Sequence, residues 1–417
     1  MTRSTTRRTA PTWAGSWNSS ASTRPPRADG EVPPGGGHGA RRGWSPPVRA
    51  LDGRWASRSP RSGLRGAGAA APGGGSARAR SSPEPPWAGR PGVRAPHRAV
   101  RRRRASRRRP SRRPPEPSVP LPEPVVPERV VPAVLRAVRA AAPYATAEAA
   151  RAEVRALDVR PHAYGPPRRL RRGVTTTASR VDGVPVHTVA PTDGPPRVRV
   201  LYAHGGGWVH EISRWHWSLV TQMAAEAHAA VTVPIYPLLP HGSAREAVDI
   251  AAGLVERLSA AGDEVVLAGD SAGGQIALST ALLLRDRGLR DLRTVLVSPA
   301  LDLTVSNPRI PDVAPSDPWL GVEGVRWLAQ AWAGDLRLRD PRVSPLEGDM
   351  AGLGPMLLLT GTRDILNPDA HLLAERARAA GVDVTLLEHE GGLHVFPLLP
   401  TRSGARARRR IVETLRG

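Results

Sequence analysis

From about residue 119 onward, short apolar runs alternate with longer stretches whose apolar residues recur three and four apart, the pattern of strands interleaved with helices. Val130 to Ala142 puts Val134, Leu135 and Val138 on one helical face. Ala145 to Leu157 reads as a second helix, with Pro143 separating the two. Thr175–Arg180 and Val184–Val189 flank Asp182-Gly183, a hairpin signal. Arg197–Tyr202 alternates toward a strand, Trp215–Ala229 suits a helix, and Ala230–Ile235 is a buried strand. Ala244–Leu258 is helical, Val265–Ala268 is a short apolar strand, and a helix follows to about Arg287. Arg293–Val297 is a strand, whereas Thr304 to Asp335, with Trp319, Trp327 and Trp332, fits no regular crossover. Met356–Thr360 (strand), Pro368–Ala380 (helix), Val382–Leu387 (strand) and Gly404–Leu415 (helix) complete the series. Such an alternation predicts right-handed βαβ units and an α/β fold with a mostly parallel central sheet flanked by helices.

The first 118 residues are different in kind. They contain no Ile, Phe or Tyr and only two Leu, and are dense in Pro, Gly, Ser and Arg, too little apolar surface to offset chain entropy. They also hold 26 Arg against five acids, so nearly all of the +23 net charge lies there. Their five Trp (Trp13, Trp17, Trp44, Trp55, Trp87) follow no period. Three readings fit: an arm that binds nucleic acid through Arg101–Arg104 and Arg107–Arg109, a disordered extension without a role, or a misassigned start in GC-rich DNA. Every basic residue in the chain is Arg. The expected division is therefore 1–118 as an extension and 119–417 as the folded domain. With no Cys there are no disulfides or thiolate metal sites. No run approaches the 18 or so apolar residues of a membrane span, and no apolar region follows Arg7-Arg8, so the expectation is a cytoplasmic protein.

The chemistry-bearing stretch is Val265-Val266-Leu267-Ala268-Gly269-Asp270-Ser271-Ala272-Gly273-Gly274, in which an apolar strand runs through Gly-x-Ser-x-Gly into a helix. That is the context of a nucleophile elbow, and it would serve equally as a tightly packed strand–helix turn. A serine hydroxyl needs a base, a carboxylate to orient the base, and donors for the oxyanion. His204-Gly205-Gly206-Gly207 follows a strand and offers free backbone N–H groups, although it also fits a glycine-rich surface loop. Asp364 follows the strand Met356–Thr360; its alternative role is helix capping, which Asn367 could fill. His394 follows the last strand, with His389 and His371 as rivals. Ser271, Asp364 and His394 occur in the order nucleophile, acid, histidine. Asp270 adjoins the nucleophile and is read as orienting the elbow. Trp208, Trp215 and Trp217 lie just after the glycine loop and fit either an apolar substrate pocket or ordinary packing.

His204-Gly205-Gly206-Gly207, followed 62 residues past Gly207 by Gly269-Asp270-Ser271-Ala272-Gly273-Gly274, resembles the hormone-sensitive-lipase-like family of α/β-hydrolases. Asp340-Pro341-Arg342-Val343-Ser344-Pro345-Leu346 and Gly361-Thr362-Arg363-Asp364 are similar to it as well. The resemblance covers about residues 130–415. It implies an α/β-hydrolase fold with a small helical cap from about 130–160 and 304–335. It also implies carboxylesterase activity on a small-molecule ester, with no metal or organic cofactor. The oxyanion donors it implies are Gly206, Gly207 and Ala272. Family members are often dimeric through the final strand and helix, so a homodimer is a further expectation. One departure stands out: after Tyr236 the family usually reads close to Arg-Leu-Ala-Pro-Glu-His, and this chain has Pro237-Leu238-Leu239-Pro240-His241-Gly242. The Tyr236-Pro237 and His394-Val395-Phe396-Pro397 segments look more like a branch acting on acetyl, short-acyl or lactone-type esters. Two other functions remain open at this point: a binding protein on an inactive hydrolase scaffold, and an amidase on the same fold.

Overall fold

The computed structural model describes residues 125–417. The Arg-rich arm, its five Trp and the boundary at residue 118 lie outside the described residues. One eight-stranded sheet organises the rest, in the order β1-β2-β4-β3-β5-β6-β7-β8. A hairpin of β1 (Val174–Val181) and β2 (Val184–Pro191) turns at Asp182-Gly183 and pairs antiparallel with the sheet through β4 (Ala229–Pro234). The remaining strands are parallel: β3 (Val198–Ala203), β5 (Val265–Asp270), β6 (Arg293–Val297), β7 (Met356–Arg363) and β8 (Val384–Leu393).

Central strands read as unbroken apolar runs because both sheet faces are covered. Along β3 and β5, Leu201, Ala203 and Leu267 face one hydrophobic cluster while Val200, Tyr202, Val266 and Ala268 face the other, the two-residue period of a strand. Helices α4 (Arg214–Ala227) and α10 (Arg402–Arg416) cover the second face. Helices α5 (Ala244–Ala260), α6 (Ala272–Asp286) and α9 (Asn367–Ala379) cover the first. Leu201, Leu267 and Leu296 have no exposed surface, and full burial of each such side chain contributes about 1.5–3 kcal/mol.

A further helical layer, formed by α2 (Ala142–Ala145), α3 (Ala147–Val159) and α8 (Val322–Ala333), packs together. Thr146 caps α3 by accepting from Ala149 N at 3.1 Å, and Glu323 at the start of α8 accepts from Ala147 N at 3.2 Å. The α2–α8 approach is close: a Cβ on Gly321 or Gly324 would collide with the Tyr144 carbonyl. A short helix α7 (Ile310–Val313) precedes α8. The segment 304–335 is thus more regular than its sequence indicates. Val325, Leu328, Ala329 and Trp332, spaced three and four apart, form the buried face of α8.

The first helix departs from expectation. The predicted helix 130–142 stops early: α1 runs only Val131–Ala137. It closes with Arg139 at φ +53° and with Ala140 N donating to Leu135 O at 3.0 Å, a left-handed cap made without glycine. Pro143 does not separate the helices but sits in the first turn of α2, where its missing N–H costs nothing.

Candidate active site

Strand β5 ends at Asp270, and α6 begins at Ala272, so Ser271 carries the whole change of direction. Its backbone sits at φ +51°, ψ −118°, a strained region for a side-chain-bearing residue. The turn is over-determined by its hydrogen bonds: Ser271 N donates to Val297 O at 2.9 Å, and Ser271 O accepts from Ala300 N at 3.0 Å. Both flanking glycines are required sterically. A Cβ at Gly269 would strike Gly273 O, and one at Gly273 would strike Ala203 O.

Parallel strands deliver side chains at their carboxyl ends, and β7 and β8 bring two more to this edge. His394, one residue past β8, lies with Nε2 2.9 Å from Ser271 Oγ and Nδ1 2.9 Å from Asp364 Oδ2. Asp364 is fully buried beyond β7; its other oxygen accepts from Leu366 N at 3.0 Å. Burial by itself would pull the His394 pKa down. The Asp364 charge and hydrogen bond, aided by Asp317 and Asp270, outweigh it and hold the imidazole above the ordinary histidine value. The edge of Trp319 meets the His394 ring, centroids 5.8 Å apart. His371 and His389 are elsewhere, paired with Glu388 and Glu128. Asn367 does not cap α9; its amide donates to Glu388 at 2.8 Å.

Asp270 ties three elements together. It accepts from the Tyr202 hydroxyl on β3, from Gly205 N at 3.0 Å, and faces His216 Nε2 on α4 at 3.1 Å. His216 is oriented in turn by the α4 N-terminus, its Nδ1 accepting from Ser213 N at 2.8 Å. Burial works to raise the Asp270 pKa, but His216, Tyr202 and Gly205 together hold it below the usual carboxylate value. Gly205 thereby anchors the glycine loop against the elbow. Gly206 (φ +124°) and Gly207 (φ +61°) line the same cavity as Ser271. Ala272 is the first residue of α6, so its N–H has no partner within the helix. His204, fully buried and stacked on Tyr236 at 4.7 Å, is pushed down to about 4 by burial. In the segment that departs from the family pattern, Tyr236 OH donates to His204 O at 2.7 Å and Leu239 N to Trp208 O at 2.9 Å.

A cavity of about 900 Å³ opens over Ser271 and His394, walled mainly by apolar groups including Leu135, Tyr144, Trp208, Trp215, Trp319 and Leu320. Two of the three tryptophans expected at a pocket are there. The indole N–H of Trp208 donates to Gln275 Oε1 at 3.1 Å, and Trp215 lies at the rim, 37% exposed. Trp217 is not among the lining residues. It is buried on the opposite side of α4, its ring edge-on to His187. The reason is helical geometry: residues two apart on a helix point to nearly opposite sides. The contributions of Tyr202, His216 and Gln275 were not read from the sequence; His216 could have been, as the third residue after a serine N-cap.

Among the described residues no group of three or more His, Cys, Asp or Glu is placed to hold a metal ion, and no helix is long and apolar enough to cross a membrane.

Residues 200–398 match the alpha/beta hydrolase fold family. A triacylglycerol lipase of Mycobacterium tuberculosis is 32% identical over 230 residues, covering 54% of this chain and 48% of the lipase; the chain thus spans about half the length of that relative. An acetyl-hydrolase of Streptomyces hygroscopicus is 32% identical over 209 residues, covering 48% of this chain and 70% of that protein. Among solved structures, a hormone-sensitive lipase from a metagenome library superposes with a TM-score of 0.60 at 30% identity, covering 70% of this chain and 99% of that one.

Proposed function

This chain belongs to the hormone-sensitive-lipase-like carboxylesterase family of α/β-hydrolases, and on that premise we propose that it hydrolyses small to medium carboxylic esters through an acyl-enzyme on Ser271. The observation that carries the reading is the unbroken chain Ser271 Oγ, His394 Nε2, His394 Nδ1, Asp364 Oδ2, with 2.9 Å at each contact. In the first half-reaction His394 takes the Ser271 proton as Oγ attacks the ester carbonyl. Asp364 holds the Nδ1–H tautomer and stabilises the imidazolium. The amides of Gly206, Gly207 and Ala272 stabilise the oxyanion, each such donor typically contributing about 10²–10³ in rate. His394 then protonates the departing alcohol. In the second half-reaction it deprotonates a water that attacks the acyl-enzyme, and Ser271 recovers its proton as the carboxylic acid leaves.

Helices α2, α3 and α8 act as the cap over this site. The apolar walls and the size of the cavity support acyl or alcohol groups larger than acetyl, with acetyl, short-acyl and lactone-type esters all accommodated. The reading is tested by covalent labelling. A fluorophosphonate probe should react stoichiometrically, abolish ester hydrolysis in proportion, and shift the mass of the peptide containing Ser271 alone. Labelling elsewhere, or hydrolysis that survives full labelling, overturns it.

A further inference from the structure

Glu211 lies in the loop between the glycine turn and α4, and it walls the same cavity as Ser271, Gly206 and Gly207. It also bounds a smaller cavity of about 260 Å³, alongside His162, Ile212 and Trp217. Its Oε2 is shut off from solvent and has no hydrogen-bond partner among the described residues. The neighbouring polar groups are engaged elsewhere. His210 is bonded to Tyr144 OH at 3.0 Å and to Glu153 at 3.0 Å, and Ser213 is bonded to His216. Native interiors rarely leave a carboxyl group without any partner; with Oε2 buried, Oε1 is the oxygen left open to a ligand in the cavity.

We infer that Glu211 forms a polar subsite that recognises a hydroxyl group carried by the ester. The inference rests on the esterase reading for the identity of the ligand, not for the existence of the subsite. A hydroxyl fits better than an ammonium for two reasons. Arg139 and Arg214 line the same cavity and balance Glu153 and Asp270, so no surplus of acid beyond Glu211 draws a cation there. Burial also pushes the Glu211 carboxyl up to about 7, so both protonation states are populated near neutrality, and a hydroxyl can donate to one and accept from the other. The remaining walls are largely apolar, so the substrate class is an otherwise apolar ester bearing one hydroxyl.

The test uses the full chain and three matched esters: ethyl butyrate, ethyl 3-hydroxybutyrate and 2-hydroxyethyl butyrate, followed by pH-stat. Wild type should prefer one hydroxylated ester over ethyl butyrate by at least about tenfold in kcat/KM, as expected when a site loses its hydrogen-bonding group. Which of the two is preferred tells whether the hydroxyl sits on the acyl or the alcohol side. Within Glu211→Leu the same ratio should fall to about one or below, while Glu211→Gln, which still accepts, should keep part of it. A wild-type ratio near one, or a ratio unchanged in Glu211→Leu, overturns the inference and leaves a merely water-filled carboxylate. Equilibrium binding of the same esters to Ser271→Ala, read by the change in total tryptophan fluorescence to which Trp208, Trp215 and Trp319 on the cavity wall contribute, separates this from failure of the esterase reading. If nothing is hydrolysed, a tenfold affinity preference that disappears in Ser271→Ala/Glu211→Leu still supports the subsite, and equal affinities overturn it.

Discussion

Replacing Asp270 with Ala should destabilise the protein severely without touching the reacting atoms. The carboxylate is 1% exposed and satisfies three groups at once: the Tyr202 hydroxyl, the Gly205 amide and the His216 ring. Each buried group left without a partner costs about 1–3 kcal/mol. Three would cost about 3–9 kcal/mol if additive, and removing the buried charge returns part of that, so the net loss is about 3–5 kcal/mol. Asp270→Asn, which keeps an acceptor for Gly205, should lose less. Urea unfolding followed by tryptophan fluorescence reads the difference at pH 7. The pH dependence supplies an internal check. Because the folded-state pKa of Asp270 is depressed, its contribution is present above the ordinary carboxylate value, about 3.9, and is lost as pH falls through the lower folded value. The gap between the variant and wild type should therefore narrow in strong acid. An Asp270→Ala protein within 1 kcal/mol of wild type at pH 7, with an unchanged denaturant slope, would refute the view that this carboxylate clamps the glycine loop to the elbow.

Gln275 presents a second buried junction. Its Oε1 accepts from the indoles of Trp208 and Trp332 at 3.1 and 3.0 Å, and its amide donates to Arg342 O at 2.7 Å. Gln275→Leu should cost about 2–4 kcal/mol in urea unfolding, and hydrolysis should weaken as the Trp208 wall loosens. The proposed base gives a pH prediction. Hydrolysis needs neutral His394, and its pKa is held above the ordinary value of about 6.5, so the acid limb of kcat/KM should fall with a midpoint above that figure. Asp364→Asn removes the largest raising influence; it should move that limb to lower pH and lower the rate by about 10²–10⁴.

Much of this architecture is legible in the residues, for physical reasons that differ by element. The central strands are covered on both faces, so they appear as apolar runs, and the hairpin announces itself by Asp182-Gly183. Gly269 is forced by the nearby Gly273 carbonyl, whereas Gly273 is forced by Ala203 on β3 and is marked in the sequence only by the Gly-x-Ser-x-Gly pattern. What escapes the sequence depends on distant partners or on direction. The end of α1 is closed by Arg139 in a left-handed conformation, where no glycine marks the stop. The partners of Asp270 come from β3 and α4, 68 and 54 residues away. Trp215 and Trp217 are equivalent in composition but opposite on the helix, a distinction that counting by 100° per residue would have made. Glu211 carries no motif at all; only the cavity wall around it gives it meaning.

The proposed role of Ser271 as the nucleophile of an ester hydrolase is tested by the rate of p-nitrophenyl butyrate hydrolysis in wild type and Ser271→Ala. Wild type should turn the ester over measurably, and the variant should be slower by about 10³-fold or more, with the fold unchanged by circular dichroism. Wild-type turnover that Ser271→Ala retains within tenfold would contradict that role.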